Sequence, residues 1–575
     1  MRMNEAIRSG LEKCRRHFRA ALIFSALVNL LFIVPMLYML QVYERVVPTR
    51  GVTTLAMLTL VLVIGLLTMA ALDSLRARLL VRAGVRLDAA LSRTLLEATL
   101  SEPGSGGGRN ARGAMREFDQ LRQALTGPAI LAVLDAPWVP VYIAIAFILH
   151  PWIGVLALAG AVLVVLLAMR NEQVTRVPMQ QANAAAAQAY ADFEATVGSA
   201  DTVRALGMRE ALVAGHLSQR DMMMRLQTRA SLASSGITAT SKFVRHLLQS
   251  LALGVGALLA ISGMISPGAI FASMFIVGRA LAPIDQMVGN WRSIVQARGS
   301  WTQLNALLDE APPQVAMTQL PRPTGRIEVE DLHVLGEDRS AILQQVSFAV
   351  APGETVAIVG PSGAGKSTLV RALAGALVPD HGVVRFDGSD QRNWDPERLA
   401  EHVGFMPQEC VLFAGTVKEN IARFRNRLEE DPSQVDADAI AAAQVAGAHE
   451  LIQRLPNGYD QMLQTGGRNL SAGQRQRIAL ARALFRGPSV LILDEPNSNL
   501  DSEGDQELVR CLEQAKARGT TILLVAHRMG MMPVVDKLLI VQDGRIAAFG
   551  PRDEIMAKIA SARPVSVPAP RPGAL

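Results

Sequence analysis

Gly360-Pro361-Ser362-Gly363-Ala364-Gly365-Lys366-Ser367-Thr368 stands directly after an apolar run at 355–359 and directly before a helical pattern over 369–377. Strand, glycine-rich turn and helix in that order make a phosphate cradle, because the turn's backbone N–H groups and the helix N-terminus converge on an anion. Lys366 is then placed to reach the β- and γ-phosphates, and the Ser367 hydroxyl to hold Mg²⁺. Gly360, Ser362, Gly363, Gly365, Lys366, Ser367 and Thr368 are accordingly the candidate nucleotide contacts. Outward from this turn, short β-rich runs (327–329, 490–493, 521–525) alternate with helical segments, which predicts an α/β domain with a mainly parallel sheet core.

A second element supports the first. Val490-Leu491-Ile492-Leu493-Asp494-Glu495 is an apolar strand ending in two carboxylates. Asp494 falls beside the metal and Glu495 is the candidate general base for the attacking water. A third, Leu470-Ser471-Ala472-Gly473-Gln474, opens the helical run 474–485 and offers another helix N-terminus for an anion.

At this point the chain resembles the ATP-binding cassette family, whose signature is usually Leu-Ser-Gly-Gly-Gln. Gln408 in Met406-Pro407-Gln408-Glu409 looks like the family's Q-loop, Ser498-Asn499-Leu500-Asp501 like its D-loop, and His527 like its switch histidine. The markers keep the family's order from 327 to about 559, whereas kinases and small GTPases share only the phosphate turn. The resemblance implies ATP and Mg²⁺ as cofactors. Glu495, His527 and Gln408 would be the catalytic set, and Ser367, Gln408 and Asp494 the metal contacts. It implies further that Ser471, Gly473, Gln474 and Asp501 serve the nucleotide on a second copy, so that the working form is a homodimer with two hydrolysing sites. Two departures stand out. Ala472 replaces the first signature glycine, and around Val334 and Leu335 no aromatic is present to stack on adenine.

The rest of the chain is of another kind. With 575 residues, more than one domain is expected. Half the residues are hydrophobic and the mean hydropathy is +0.24, which fits a membrane part joined to a water-soluble part. Apolar spans are expected at about 20–42, 53–75, 129–149, 152–169, 247–265 and 268–287. The formal net charge of +6 reflects arginines clustered beside these spans, a pattern that orients a membrane protein rather than one that binds nucleic acid. The short links at 45–50, 150–151 and 266–267 alternate with long basic ones at 76–128 and 170–246. By the positive-inside rule the amino terminus, both long links and the carboxy-terminal half are cytoplasmic. The long links keep a helical period and are expected to extend the spans as helices, with 103–108 a turn between two of them. Cys14, Cys410 and Cys511 have neither disulfide nor zinc spacing.

The expected organisation is an interfacial amphipathic helix at 1–19 and a six-span exporter-type domain at 20–308. A linker at 309–326, a cassette at 327–560 and a disordered Pro-rich tail at 561–575 follow. Asp135 and Arg279 are charges at apolar spans, expected either to line a translocation path or to serve structurally, as a buried pair or at the membrane interface. Gly198-Ser199-Ala200-Asp201-Thr202-Val203-Arg204-Ala205-Leu206-Gly207 resembles the coupling-helix region of exporters.

The membrane half narrows the resemblance. Met39-Leu40-Gln41-Val42-Tyr43-Glu44-Arg45, Asp135-Ala136-Pro137-Trp138-Val139-Pro140, His150-Pro151-Trp152, Asn171-Glu172-Gln173-Val174-Thr175-Arg176 and Arg279-Ala280-Leu281-Ala282-Pro283 look like PrtD-type exporters of bacterial type I secretion. Asp494-Glu495-Pro496-Asn497-Ser498-Asn499-Leu500-Asp501 does too. That resemblance implies an inner-membrane translocase for an unfolded protein with an uncleaved carboxy-terminal signal. A periplasmic adaptor (membrane fusion) protein, a TolC-type outer-membrane channel and membrane lipid would be its partners. A first span near residue 20 carries the expectation that no peptidase domain precedes it. A lipid or drug flippase is the rival reading, and a non-transport cassette ATPase is disfavoured by the six spans.

Overall fold

The computed structural model describes residues 4–101, 113–310, 320–336, 338–428, 431–526 and 529–562. The chain divides into two compact units between Pro312 and Pro313. The expected turn at 103–108, half of the linker (311–319), His527 and most of the Pro-rich tail lie outside the described residues.

In the first unit, six helices among the described residues are long and apolar enough to cross a membrane: Glu5–Thr49, Val52–Leu100, Pro128–Leu149, Pro151–Gly198, Arg209–Ile261 and Pro267–Gly289. Pro151 and Pro267 each stand at the first helical position, where the missing N–H costs nothing. The side chains of His150 and Ser266 cap those starts, accepting from Trp152 and Ala269 backbone N–H at 3.3 Å. The helices of 50, 48 and 53 residues are each about 75 Å long at ~1.5 Å per residue, against a hydrocarbon layer of ~30 Å. More than half of each therefore runs outside the membrane, and the described parts of the long basic links are largely helix, as expected. The six-residue helix Ala200–Ala205 forms the tip between two of them.

The amino-terminal segment differs from expectation. It is continuous with the first span as the helix Glu5–Leu31. Its apolar face goes to protein instead of to headgroups: Ile7 and Cys14 are buried with Leu87, Leu91, Leu95, Phe118, Leu121 and Leu304. An amphipathic period states that one face is apolar and leaves open what covers it.

Asp135 and Arg279 do not pair directly with one another. Asp135, 5% exposed, pairs with Arg76 at 2.8 Å and also accepts from the Ser25 hydroxyl and from Asn29 Nδ2 at 2.8 Å. Arg279 donates to Asn29 Oδ1 at 2.7 Å and lies over the Phe32 ring at 3.4 Å. The Tyr142 hydroxyl closes the group, donating to the Asn29 backbone carbonyl at 2.8 Å. The two charges are thus joined through Asn29 rather than paired. Hydrogen bonding on this scale is what a charge among apolar helices requires.

The second unit holds two main sheets. Strands β1 (Ile327–Leu335), β2 (Ala341–Val350), β3 (Thr355–Val359), β4 (His381–Phe386), β5 (Ser389–Asp390) and β6 (Val403–Met406) come first. After them come β7 (Gly415–Thr416), β8 (Met462–Leu463), β9 (Val490–Asp494), β10 (Thr521–Val525), β11 (Lys537–Gln542) and β12 (Arg545–Pro551). The larger sheet runs β12-β11-β3-β10-β9-β6, parallel except for β12. Strands β3, β9 and β10 are buried along nearly their whole length, as a sheet covered on both faces demands. The run at 327–329 does not join this parallel core. It begins β1 of an antiparallel sheet ordered β2-β1-β4-β5, because the short link to β2 permits a hairpin and not a parallel crossover.

Candidate active site

The parallel register brings the predicted residues to one edge of the sheet. Val525 stands opposite Ile358 on one side and Asp494 on the other, and Met406 stands opposite Leu493. The chain therefore leaves β3 at Gly360, β9 at Glu495, β10 at Ala526 and β6 two residues before Gln408, all at carboxyl ends. Ala526 N–H donates to the Ile358 carbonyl at 3.2 Å, which fixes the residue immediately before His527. Ligands bind outside the carboxyl ends of strands in such sheets.

The phosphate turn is built to admit an anion. Gly365, at φ +97°, precedes the helix Lys366–Leu373, and a Cβ on it would lie 2.7 Å from Leu343 Cδ2 and 3.0 Å from the Ile342 carbonyl. Lys366 is 6% exposed, and its Nζ donates to the Gly360 and Pro361 carbonyls at 2.9 and 2.8 Å. The ammonium is thus held over the turn, in which Ser362 and Gly363 are exposed, and Ser367 and Thr368 lie in the first turn of the helix that follows. Ser367 hydroxyl, Gln408 amide oxygen and Asp494 carboxylate are hard oxygen donors of the kind Mg²⁺ takes. Asp494 is buried at the end of β9, and Glu495 follows at φ +50°, an unusual conformation for a residue with a side chain.

The signature is positioned from a different direction. Ser471 caps the helix Ala472–Leu484 in a capping box: Gln474 N–H donates to its hydroxyl at 3.2 Å, and its own N–H donates to Gln474 Oε1 at 2.9 Å. Ser471 and Ala472 are exposed. Among the described residues no hydrogen bond or ion pair joins Ser471, Gly473 or Gln474 to the phosphate turn of the same chain.

Gln476, which the sequence reading passed over, ties this helix to the loop after β9. Its Nε2 donates to the Pro496 carbonyl at 2.6 Å and to the Glu495 carbonyl at 3.4 Å, while its Oε1 accepts from Asn499 N–H at 3.1 Å. Arg477 adds an ion pair with Glu507 at 2.7 Å and approaches Asp501 at 4.0 Å. The available signal was a glutamine at a core-facing position of an otherwise apolar helical period.

Comparison with known proteins follows this geometry closely. The family profile described as the ABC transporter transmembrane region matches residues 18–280, and that described as ABC transporter matches 343–498. The type I secretion system ATP-binding protein PrsD of Rhizobium meliloti (strain 1021) is 39% identical over 96% of this chain and 94% of its own length. The toxin RTX-I translocation ATP-binding protein of Actinobacillus pleuropneumoniae is 29% identical, over 95% of this chain and 77% of its own. The leukotoxin translocation ATP-binding protein LktB of Mannheimia haemolytica matches to the same extent. In fold, the chain resembles a bacterial Atm1-family ABC exporter solved with ATP bound. The TM-score is 0.81 at 22% identity, covering 96% of this chain and 99% of that one.

Proposed function

We propose that this chain, which belongs to the type I secretion ATP-binding proteins of the ABC transporter family, works as a homodimer of the bacterial inner membrane that drives an unfolded protein outward. The chain is an ATP-hydrolysing, multi-pass exporter.

One observation carries the homodimer: Ser471 and Ala472 open their helix toward solvent while that helix is fastened to the loop after β9. A nucleotide held by one copy's Lys366 turn then needs the other copy's Ser471, Gly473, Gln474 and Asp501 to complete its site. Within each site Lys366 balances phosphate charge, Glu495 takes the proton from the attacking water, and His527 contacts the terminal phosphate. Ser367, Gln408 and Asp494 would hold Mg²⁺, which supplies positive charge against the β- and γ-oxygens when bound. Fastening by Gln476 makes any movement of the signature felt at the Glu495 backbone.

The relatives' names support a protein cargo, taken here to carry its signal at the carboxy terminus. They also support a periplasmic adaptor and an outer-membrane channel as partners. The amino terminus, the long helical extensions and the cassette are assigned to the cytoplasm by the arginine bias of the links.

The test is secretion. Cells expressing this chain with an adaptor and a TolC-type channel should release a reporter fused to the carboxy-terminal segment of a protein encoded beside it. Release should stop on deleting that segment or on Glu495→Gln. Export independent of the segment, with ATPase stimulation by lipid alone in proteoliposomes, would instead establish a flippase.

A further inference from the structure

The antiparallel pair β1 and β4 carries a cluster that nucleotide chemistry does not use. His333 on β1 stands opposite His381 on β4 in the register, and between Glu330 and His333 that register shifts. The irregularity is centred on Asp331, at φ +47°, whose N–H donates to the Ser347 hydroxyl at 2.8 Å. A bulge of this kind re-aims a side chain. Here it turns Asp331 toward both rings: its Oδ1 is 3.0 Å from His333 Nε2 and its Oδ2 is 3.5 Å from His381 Nδ1. The rings meet edge to face with centroids 5.6 Å apart. Gly382 permits the close approach, since a Cβ there would lie 2.3 Å from the Asp331 carbonyl oxygen.

One ligand atom from each of the three residues lies within 4.8 Å of the other two, and among the described residues no other group of three His, Cys, Asp or Glu side chains gathers so closely. Two imidazoles and a carboxylate suit borderline divalent ions, whose bonds to N and O are about 2.0–2.2 Å. A mostly oxygen-liganded ion such as Mg²⁺ gains little from such a set. The side chains are 31%, 72% and 54% exposed for His333, His381 and Asp331, so an ion reaches them from solvent without unfolding. They stand on a sheet, and the Leu335 backbone just beyond is held by Asp380 at 2.8 Å, so small side-chain rotations suffice to close the site.

We infer that Asp331, His333 and His381 form a surface site for a transition-metal ion of the Zn²⁺, Co²⁺ or Ni²⁺ class, separate from the Mg²⁺·ATP site, that staples β1 to β4. Three protein ligands leave positions for water, so the ion acts as a clamp on the cassette's antiparallel sheet.

The probe is Co²⁺ alone, added to the chelator-treated, full-length transporter without a polyhistidine tag, in excess Mg²⁺. One equivalent per chain should bind with visible bands of four- or five-coordinate Co²⁺, and Zn²⁺ should displace it. His333→Asn and His381→Asn should each weaken binding at least about tenfold. Metal should also raise the unfolding temperature of the wild type and not of the variants. ATP hydrolysis without transition metal, equal in all three proteins, confirms that the variants are folded. Absence of saturable Co²⁺ binding by the wild type overturns the assignment, as does unchanged binding by both folded variants.

Discussion

Gln476, 2% exposed, donates to the Pro496 carbonyl at 2.6 Å and thereby fastens the helix opened by Ser471 to the loop that begins at Glu495. The helix proposed to serve a second copy's nucleotide is thus joined by a buried side chain to the backbone of Glu495, the proposed base of its own chain. Gln476 supplies a donor to two carbonyl oxygens and an acceptor to one N–H. A carboxylate offers only acceptors.

Gln476→Glu should therefore be worse than Gln476→Ala. Each leaves buried groups unsatisfied, at about 1–3 kcal/mol. Steady-state ATPase activity should fall about tenfold or more in the glutamate variant, with nucleotide affinity little changed, because Lys366 and its turn are untouched. A weakened affinity with an unchanged turnover number would show that the bridge acts elsewhere.

Glu495→Gln should retain ATP binding and lose hydrolysis by about 10²–10⁴-fold, the usual contribution of a positioned base. Analytical ultracentrifugation of the isolated complex with ATP should then find a long-lived closed dimer. Normal turnover in this variant would remove Glu495 from the role of base.

Gly365→Ala should abolish tight nucleotide binding. The residue sits at φ +97°, and the added methyl meets Leu343 and the Ile342 carbonyl, so both conformation and space oppose it. Equilibrium binding of a fluorescent ATP analogue reads the effect directly. Affinity within twofold of wild type contradicts the turn's geometry.

The buried charges make a prediction about coupling. Asp135 bonds Arg76 directly and reaches Arg279 only through Asn29. In thermal unfolding, a double-mutant cycle on Asp135→Asn with Arg76→Gln should give the larger interaction energy, about 1–3 kcal/mol. The cycle with Arg279→Gln should give less. Arg76→Gln alone strands Asp135 among apolar helices and should cost about 3–5 kcal/mol. Equal couplings would mean that Asn29 transmits as much as the direct contact.

Cysteine reactivity gives a pH test of the cassette. Burial pushes the Cys410 thiol up to about 11 and the Cys511 thiol up to about 12. A raised thiol value means less thiolate at any lower pH, so alkylation of the folded cassette should be slow at pH 7–8 and accelerate as pH climbs toward those values. Cys511 should lag behind Cys410. Mass-spectrometric counting of iodoacetamide adducts measures both, and rapid labelling at neutral pH would contradict the burial.

Much of this protein was legible one segment at a time. The Gly360–Thr368 turn, the carboxylates closing β9 and the signature are local patterns, because a phosphate cradle is made by a few consecutive residues and the strand or helix beside them. Six spans were legible because crossing hydrocarbon sets a length and an apolarity that a window of sequence displays. Tertiary structure alone decided what covers each face. Ile7 and Cys14 met protein rather than lipid, 327–329 entered the antiparallel sheet, and Asn29 found Asp135 and Arg279 across separations of 106 and 250 residues. Gln476 reached Pro496, and His333 met His381 through a strand register that no single strand encodes. Periodicity tells which side of an element is apolar or polar. Partners across elements are chosen by packing, and by the cost of leaving a buried charge or amide unmatched.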